Sequence, residues 1–229
     1  MSIRPEPLHT QVVMDWEREA RTGLCEAVFA EGKTVACLAG IVERAAAESR
    51  RLLVTRLAAA AFDALPAPAR DALDYDEVSR TAILGPLAAA PEAHVAVVSA
   101  GLSDAPVARE VGRTLHFAGV GARQIADVGV AGLWRLMARL EEIRGHRVVV
   151  VVAGMEGALF SVLAGLVSAP LIAVPTSVGY GVGAGGHLAF HSALGSCAPG
   201  VVAVNIDNGF GGAQAALRIL NLLRASGTP

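Results

Sequence analysis

Lysine is all but missing from this chain: Lys33 is the only one, and the rest of its 19 basic residues are arginine. That bias reads as codon usage, and it leaves Lys33 as the one side-chain amine worth following. Cysteine is also rare. Cys25, Cys37 and Cys197 form no C-x-x-C pair and are too few for a disulfide scaffold, so the expectation is free thiols in a reducing cytoplasm. Charge is low, at 17% of residues against 53% apolar, which excludes a disordered chain. No sign of charge dominates. With 19 basic and 21 acidic residues, the positive footprint of a nucleic-acid binder is absent. The opening MSIRPEPLHTQ lacks the apolar stretch of a secretory signal. An uncharged run from Gly157 to Pro175 has the hydropathy of a membrane span, but Gly165, Pro170 and Pro175 break it. A buried helix followed by a buried strand, LIAVP, explains it better, and a soluble cytoplasmic protein without membrane or nucleic-acid partners is expected.

What is present is a regular alternation. The 229 residues suit one average domain plus a small one, and a chain this long buries about 70–75% of its unfolded surface without covalent staples. From residue 94 onward, short apolar runs recur at His94–Ser99, Val148–Ala153, Leu171–Val174 and Val201–Asn205, with a weaker one at Arg123–Val128. Helical patterns separate them, near 105–118, 131–144, 156–167, 186–195 and 211–225. Strands without polar alternation, joined by helices, predict an α/β fold: a parallel sheet covered on both faces. Residues 1–90 carry most of the charge and predict a small, mostly helical or α+β domain, with helices near 12–22 and 34–50 and a short strand in LLVTRL. The boundary is expected in the proline-containing stretch Gly85–Pro91, dividing the chain into 1–90 and 91–229.

Polar and glycine residues gather just after the strands, in AGLSD, AGMEG, PTSVGYG and NIDNGFGG, where open α/β sheets bind ligands. Gly181, Gly183 and Gly186 match G-x-G-x-x-G, with Asp207 about twenty residues on. The match falls in the fourth strand–helix unit rather than the first, so a looser phosphate-approach role at a helix start fits better. Ser103 and Asp104 serve either as helix caps or as ligand contacts. Glu156, between Gly154 and Gly157, is either a residue complementing the helix dipole or a pocket carboxyl desolvated by its apolar flanks. Cys197, in the turn Gly195-Ser-Cys-Ala-Pro-Gly200, is either a packed thiol or a nucleophile; Cys25 and Cys37 read as packing. His187 and His191 stand four apart on one helix without a neighbouring carboxylate, which leaves a metal pair poorly supported. Asp207 and Asn208 make either a turn or a polar lip for a ligand or hydrated Mg²⁺.

Taken together, DVGVAGLWRL (127–136), VVAGMEGALFSVLAGLVSAPLIAVPTSVGYG (151–181) and GSCAPG with VVAVNIDNGFGGA (195–213) resemble the LarB family, the pyridinium-3,5-biscarboxylic acid mononucleotide synthases of nickel-pincer cofactor biosynthesis. AGLSD (100–104) resembles the family's AGTSD element, and DWEREARTGLCEAVFAEGKT (15–34) its opening block, so the likeness spans essentially the whole chain. Phe160, where proline is common, and Leu102 in place of threonine are local departures. The resemblance implies a flavodoxin-like C-terminal sheet akin to PurE, the aminoimidazole ribonucleotide carboxylase, and by that analogy an octamer. In PurE a Gly-Ala-Ala-His-type segment carries a catalytic histidine; here the stretch reads Gly154-Met-Glu-Gly-Ala158, which argues against purine chemistry.

LarB proteins carboxylate the pyridinium ring of nicotinic acid adenine dinucleotide and hydrolyse its phosphoanhydride. The resemblance therefore implies Cys197 as the nucleophile, Glu156 as the general base, CO₂ or bicarbonate as co-substrate and Mg²⁺ for the hydrolysis. It makes Ser103, Asp104, Gly154, Met155, Ser177, Tyr180, Gly181, Gly183, Gly186, Asp207 and Asn208 the candidates for binding the substrate, with Lys33 and Arg56 as possible contributors from the first domain. A PurE-like carboxylase or mutase and a non-catalytic nucleotide-binding module are the alternatives.

Overall fold

The computed structural model describes residues 12–87 and 93–225, which divide into two units, Met1–Leu87 and Ala88–Pro229. Residues 88–91 of the proline-containing stretch, and the opening MSIRPEPLHTQ, lie outside the described residues.

The first unit is built on a four-stranded mixed sheet. After the short helix α1 (Arg18–Thr22) come β1 (Ala27–Phe29), α2 (Val35–Ala47) and β2 (Leu52–Thr55), a parallel βαβ crossover. Helix α2 starts where it does because the Thr34 side chain accepts from the Cys37 N–H at 3.2 Å. It buries Cys37, Leu38, Ile41, Val42 and Ala45, a stripe at helical spacing that packs over the sheet. Two one-turn helices, α3 (Ala59–Asp63) and α4 (Ala67–Asp71), lead to the antiparallel hairpin β3 (Leu73–Asp76) and β4 (Thr81–Leu84). Its connection is held by the Asp76 carboxylate, which accepts from both the Ser79 N–H and the Ser79 hydroxyl. Strand order is β1-β2-β4-β3. The expected helix over 12–22 is confined to 18–22, because Asp15 closes the preceding turn with Arg18 and Arg21. Three strands that were not foreseen complete the sheet.

The second unit runs β5 (Ala93–Ser99), α5 (Ala105–Phe117), β6 (Gly121–Ile125), α6 (Leu133–Arg144), β7 (Val148–Ala153), α7 (Ala158–Ala164), β8 (Leu171–Pro175), α8 (His187–Leu194), β9 (Val201–Ala203) and α9 (Gly209–Ala225). All five strands are parallel, in the order β6-β5-β7-β8-β9. Every residue of β7 and β8 is buried, which is why their sequences show no polar alternation. On one face Val149, Val151 and Ala153 join a core with Leu136, Ile143, Phe160, Leu163 and Ala193 from α6, α7 and α8. On the other face α9 approaches so closely that a Cβ on Gly212 would stand 2.6 Å from Val174 and 3.4 Å from Val150. The N–H of Gly209, first residue of α9, donates to the buried Glu110 carboxylate of α5 at 3.0 Å. The run Gly157–Pro175 is the buried helix α7 followed by the buried strand β8, and no helix among the described residues is long and apolar enough to cross a membrane.

Candidate active site at the strand switch point

Chain connections leave β5 in one direction toward β6 and return across it to β7, so the loops after these strands part at their carboxyl ends. A cleft of about 310 Å³ opens there. It is lined by Gly101, Ser103 and Asp104 after β5, by Gly129–Ala131 after β6, by Gly154–Glu156 and Leu159 after β7, and by Val178 after β8. Backbone bonds fasten these loops together: Gly129 N–H to Ala100 O at 2.8 Å and Met155 N–H to Val178 O at 2.7 Å. Gly154 cannot be replaced, since a Cβ there would fall 2.2 Å from the Val178 carbonyl oxygen. Met155 takes a left-handed backbone, φ 53°, which turns the chain outward before α7 begins.

Two carboxyl groups face the cleft, and they differ in kind. Asp104 is only 3% exposed. Its Oδ1 accepts from the Thr176 hydroxyl at 2.7 Å, and its Oδ2 accepts from the Gly101 N–H at 2.9 Å. Burial pushes its carboxyl above the usual carboxylate range, against the opposing pull of the Thr176 hydroxyl and the Gly101 and Gly154 N–H groups. Glu156 stands exposed at the mouth. Of the two alternatives for Glu156, the desolvated pocket carboxyl is not met: the Met155 turn carries Glu156 into solvent, and Asp104 is the buried acid. Among the described residues, no arginine, lysine or histidine lines the cleft. The amino ends of α5 and α6 begin within two residues of lining positions, and helix amino ends favour anionic groups such as phosphate.

Of the sequence candidates, Ser103, Asp104, Gly154, Met155 and Glu156 meet at this cleft. The remainder lie elsewhere. The Ser177 N–H donates to Asp207 Oδ1 at 2.8 Å, so Asp207 braces the loop after β8 against the one after β9. The Asn208 side chain accepts from the Gly211 N–H at 2.8 Å and caps the start of α9. Tyr180 is 77% exposed. Gly181 and Gly186 have positive φ, and Gly186 packs on the Thr176 carbonyl, where a Cβ would come within 2.7 Å. Gly183 is buried against the Met155 backbone. This glycine segment therefore supports the back of the Met155 turn. His187 and His191 are both exposed on α8. Cys25 and Cys37 are buried, and Cys197 is exposed in the turn that leads into β9. Lys33 donates to the Phe29 carbonyl within the first unit. Leu102 points to solvent, and Phe160 is fully buried against Gly157.

Sequence reading passed over Thr176, the donor that holds Asp104, and the Asp127–Arg135 ion pair of 2.6 Å, which braces the loop carrying Gly129–Ala131. Thr176 follows β8 directly and is as buried as the strand, and its place in the PTSVGYG cluster was the signal for it. Among the described residues, no three His, Cys, Asp or Glu side chains gather in a way that would hold a metal ion.

Residues 8–86 match the family model of the LarB/PurE-like N-terminal domain, and residues 94–226 match that of AIR carboxylase. The chain is 49% identical over 119 residues to an uncharacterized protein of Methanocaldococcus jannaschii; the match covers 51% of this chain and 45% of that protein, so it spans under half of the curated relative's length. The crystal structure of a substituted PurE2 from Treponema denticola aligns with a TM-score of 0.47 at 21% identity, over 56% of this chain and 79% of that one. With its sheet, its cleft and both matched segments in place, the chain belongs to the AIR carboxylase family in the LarB-like arrangement, a PurE-like domain behind a LarB/PurE-like N-terminal domain.

Proposed function

We propose that the protein carboxylates the pyridinium ring of nicotinic acid adenine dinucleotide at carbon 5 and hydrolyses the phosphoanhydride, giving pyridinium-3,5-biscarboxylic acid mononucleotide and AMP. The observation that carries this reading is Glu156. A carboxylate stands at the mouth of the switch-point cleft, in the segment where the purine carboxylases hold a histidine, behind a LarB-type N-terminal domain. The cleft is mostly apolar with polar groups at its floor and mouth, as small-molecule sites are, and the helix amino ends around it suit the substrate's phosphates.

A pyridinium ring is too electron-poor to attack CO₂. In this reading the Cys197 thiolate adds to ring carbon 4, forming a C–S bond and sending an electron pair to the ring nitrogen. The resulting enamine is nucleophilic at carbon 5 and forms the C–C bond to CO₂. Glu156 then takes the proton from carbon 5, the C–S bond breaks, and the ring regains aromaticity with the thiolate released. Covalent addition thus divides one difficult step into two, with Glu156 as general base. In the second reaction water attacks the phosphoanhydride. Mg²⁺ would act there as an ion carried on the substrate's phosphates, and no step is assigned to a protein-bound metal.

Cys197 does not line the cleft. Its turn is tied to α7 by a bond from Ser196 to Ser161, five residues beyond Glu156. A ring held at the mouth meets the thiol either along this side of the same chain or from a second copy in a PurE-like oligomer. Mixing Cys197→Ser with Glu156→Gln protein separates the two, because hybrids recover activity only when the groups come from different chains.

The decisive measurement is mass spectrometry of protein, dinucleotide, bicarbonate and Mg²⁺. AMP and the dicarboxylated mononucleotide are expected, and both are absent with Cys197→Ser; Glu156→Gln accumulates the thiol adduct. Turnover of an aminoimidazole ribonucleotide instead, or binding without any product, overturns the reading.

A further inference from the structure

We propose that Ser161 is a positioning residue for Cys197, through a hydroxyl pair that fixes the thiol-bearing turn to helix α7; this rests on the reading above, in which Cys197 is the nucleophile. The turn 195–200 is built from small residues and proline, and Cys197 at its centre is exposed. Both neighbours of the thiol are nevertheless held. Ser196 Oγ accepts the Ala198 N–H at 3.2 Å, closing the backbone around Cys197. The same oxygen lies 2.8 Å from Ser161 Oγ, one hydroxyl donating to the other. Among the described residues, no other side-chain hydrogen bond links this turn to a different element.

What it is tied to matters. Helix α7 begins two residues after Glu156, and its Leu159, Phe160 and Leu163 are at most 2% exposed. It is a short strut locked in the core. One end carries the turn with the carboxylate, and Ser161 on its half-buried side carries the turn with the thiol. With both groups acting from one chain, the hydroxyl pair sets the distance between two groups that must reach adjacent carbons of one ring; with the thiol supplied by a second copy, it sets where that thiol projects from its own chain. Hydrogen bonding of a half-buried pair adds little to stability, since water replaces a lost partner there. Misplacing a nucleophile is far more costly, about a hundredfold in rate for an ångström.

Ser161→Ala should lower the rate of thiol-adduct formation and of carboxylation by roughly 10–100-fold while leaving KM for the dinucleotide and the unfolding midpoint unchanged. Ser196→Ala, which also removes the turn-closing bond from the Ala198 N–H, should lose at least as much, and the double variant should lose no more than Ser196→Ala alone, because Ser161 then has no partner left to lose. Ser161→Thr, which keeps the hydroxyl, should recover most of the rate. Wild-type rates in both alanine variants, with Cys197→Ser inactive, overturn the positioning role and leave the function standing. Full activity of Cys197→Ser removes the nucleophile itself, and the inference with it. Where Ser161→Ala folds, a loss in the double variant beyond that of Ser196→Ala counts against the role; where it does not fold, a wild-type rate in Ser196→Ala alone overturns it.

Discussion

The two units bury polar side chains for different ends. In the first, Ser79 bonds both to Thr81 and to Asp76, within a hairpin segment six residues long. In the second, Asp104 reaches Thr176 across 72 residues, and Glu110 reaches Gly209 across 99. A buried polar group satisfied by its own turn completes a hairpin. One satisfied from a distant strand end holds separate loops in register, and such loops can form a site. The contrast marks the carboxyl ends of the second sheet as the place where a polar arrangement is maintained for more than folding.

Five measurements sharpen or break this contrast. Asp104→Ala strands the Thr176 hydroxyl and the Gly101 N–H and should cost roughly 2–4 kcal/mol in urea denaturation; peptide-resolved hydrogen exchange should assign the loss to the second unit. Asp76→Ala, its counterpart in the hairpin, should cost about 1 kcal/mol, confined to the first unit. Equal losses for these two would collapse the comparison. Thr176→Val removes one donor and should cost about 1–2 kcal/mol. The pH dependence comes next. Because burial raises the Asp104 carboxyl, the folded protein keeps a proton there that the unfolded chain has lost. Stability from this group is complete below about pH 4 and is lost as pH rises through the raised folded value. Wild type should therefore lose stability relative to Asp104→Asn over that interval, and parallel curves would show that Asp104 is not buried in solution. The smallest effect belongs to Glu142, a half-buried carboxylate held low by Arg123 and Arg139. Glu142→Gln should leave the denaturation midpoint unchanged at moderate salt.

Much of the second unit was legible in the sequence. Five valines in succession at 148–152 and the LIAVP run announce strands buried on both faces, and parallel pairing follows from the helices between them. The first unit was harder to read. β1 has three residues and β3 reads Leu-Asp-Tyr-Asp, so neither offers a run long enough to show a period. At the site, the strand-end clusters led to Ser103, Asp104 and Gly154–Glu156. They could not show which of two carboxyls is buried, because that depends on Thr176 arriving from another strand. Nor could they show that Asp207 and Asn208 are spent on bracing a loop and capping a helix. Local sequence offers the same polar residues for either purpose; the distant partner decides.

The Glu110–Gly209 bond has a bearing on the order in which the chain assembles. Helix α9 opens with Gly209, Gly211 and Gly212 among its first four residues, a start with too much backbone freedom to nucleate unaided. Its first N–H finds an acceptor on α5, so the helix gains its foothold only once the β5–α5 segment stands on the sheet. Of the described elements, the one latest in sequence is thereby the last to set. A nascent chain halted before it would hold four helices on the sheet and leave the α9 side of Val150 and Val174 bare.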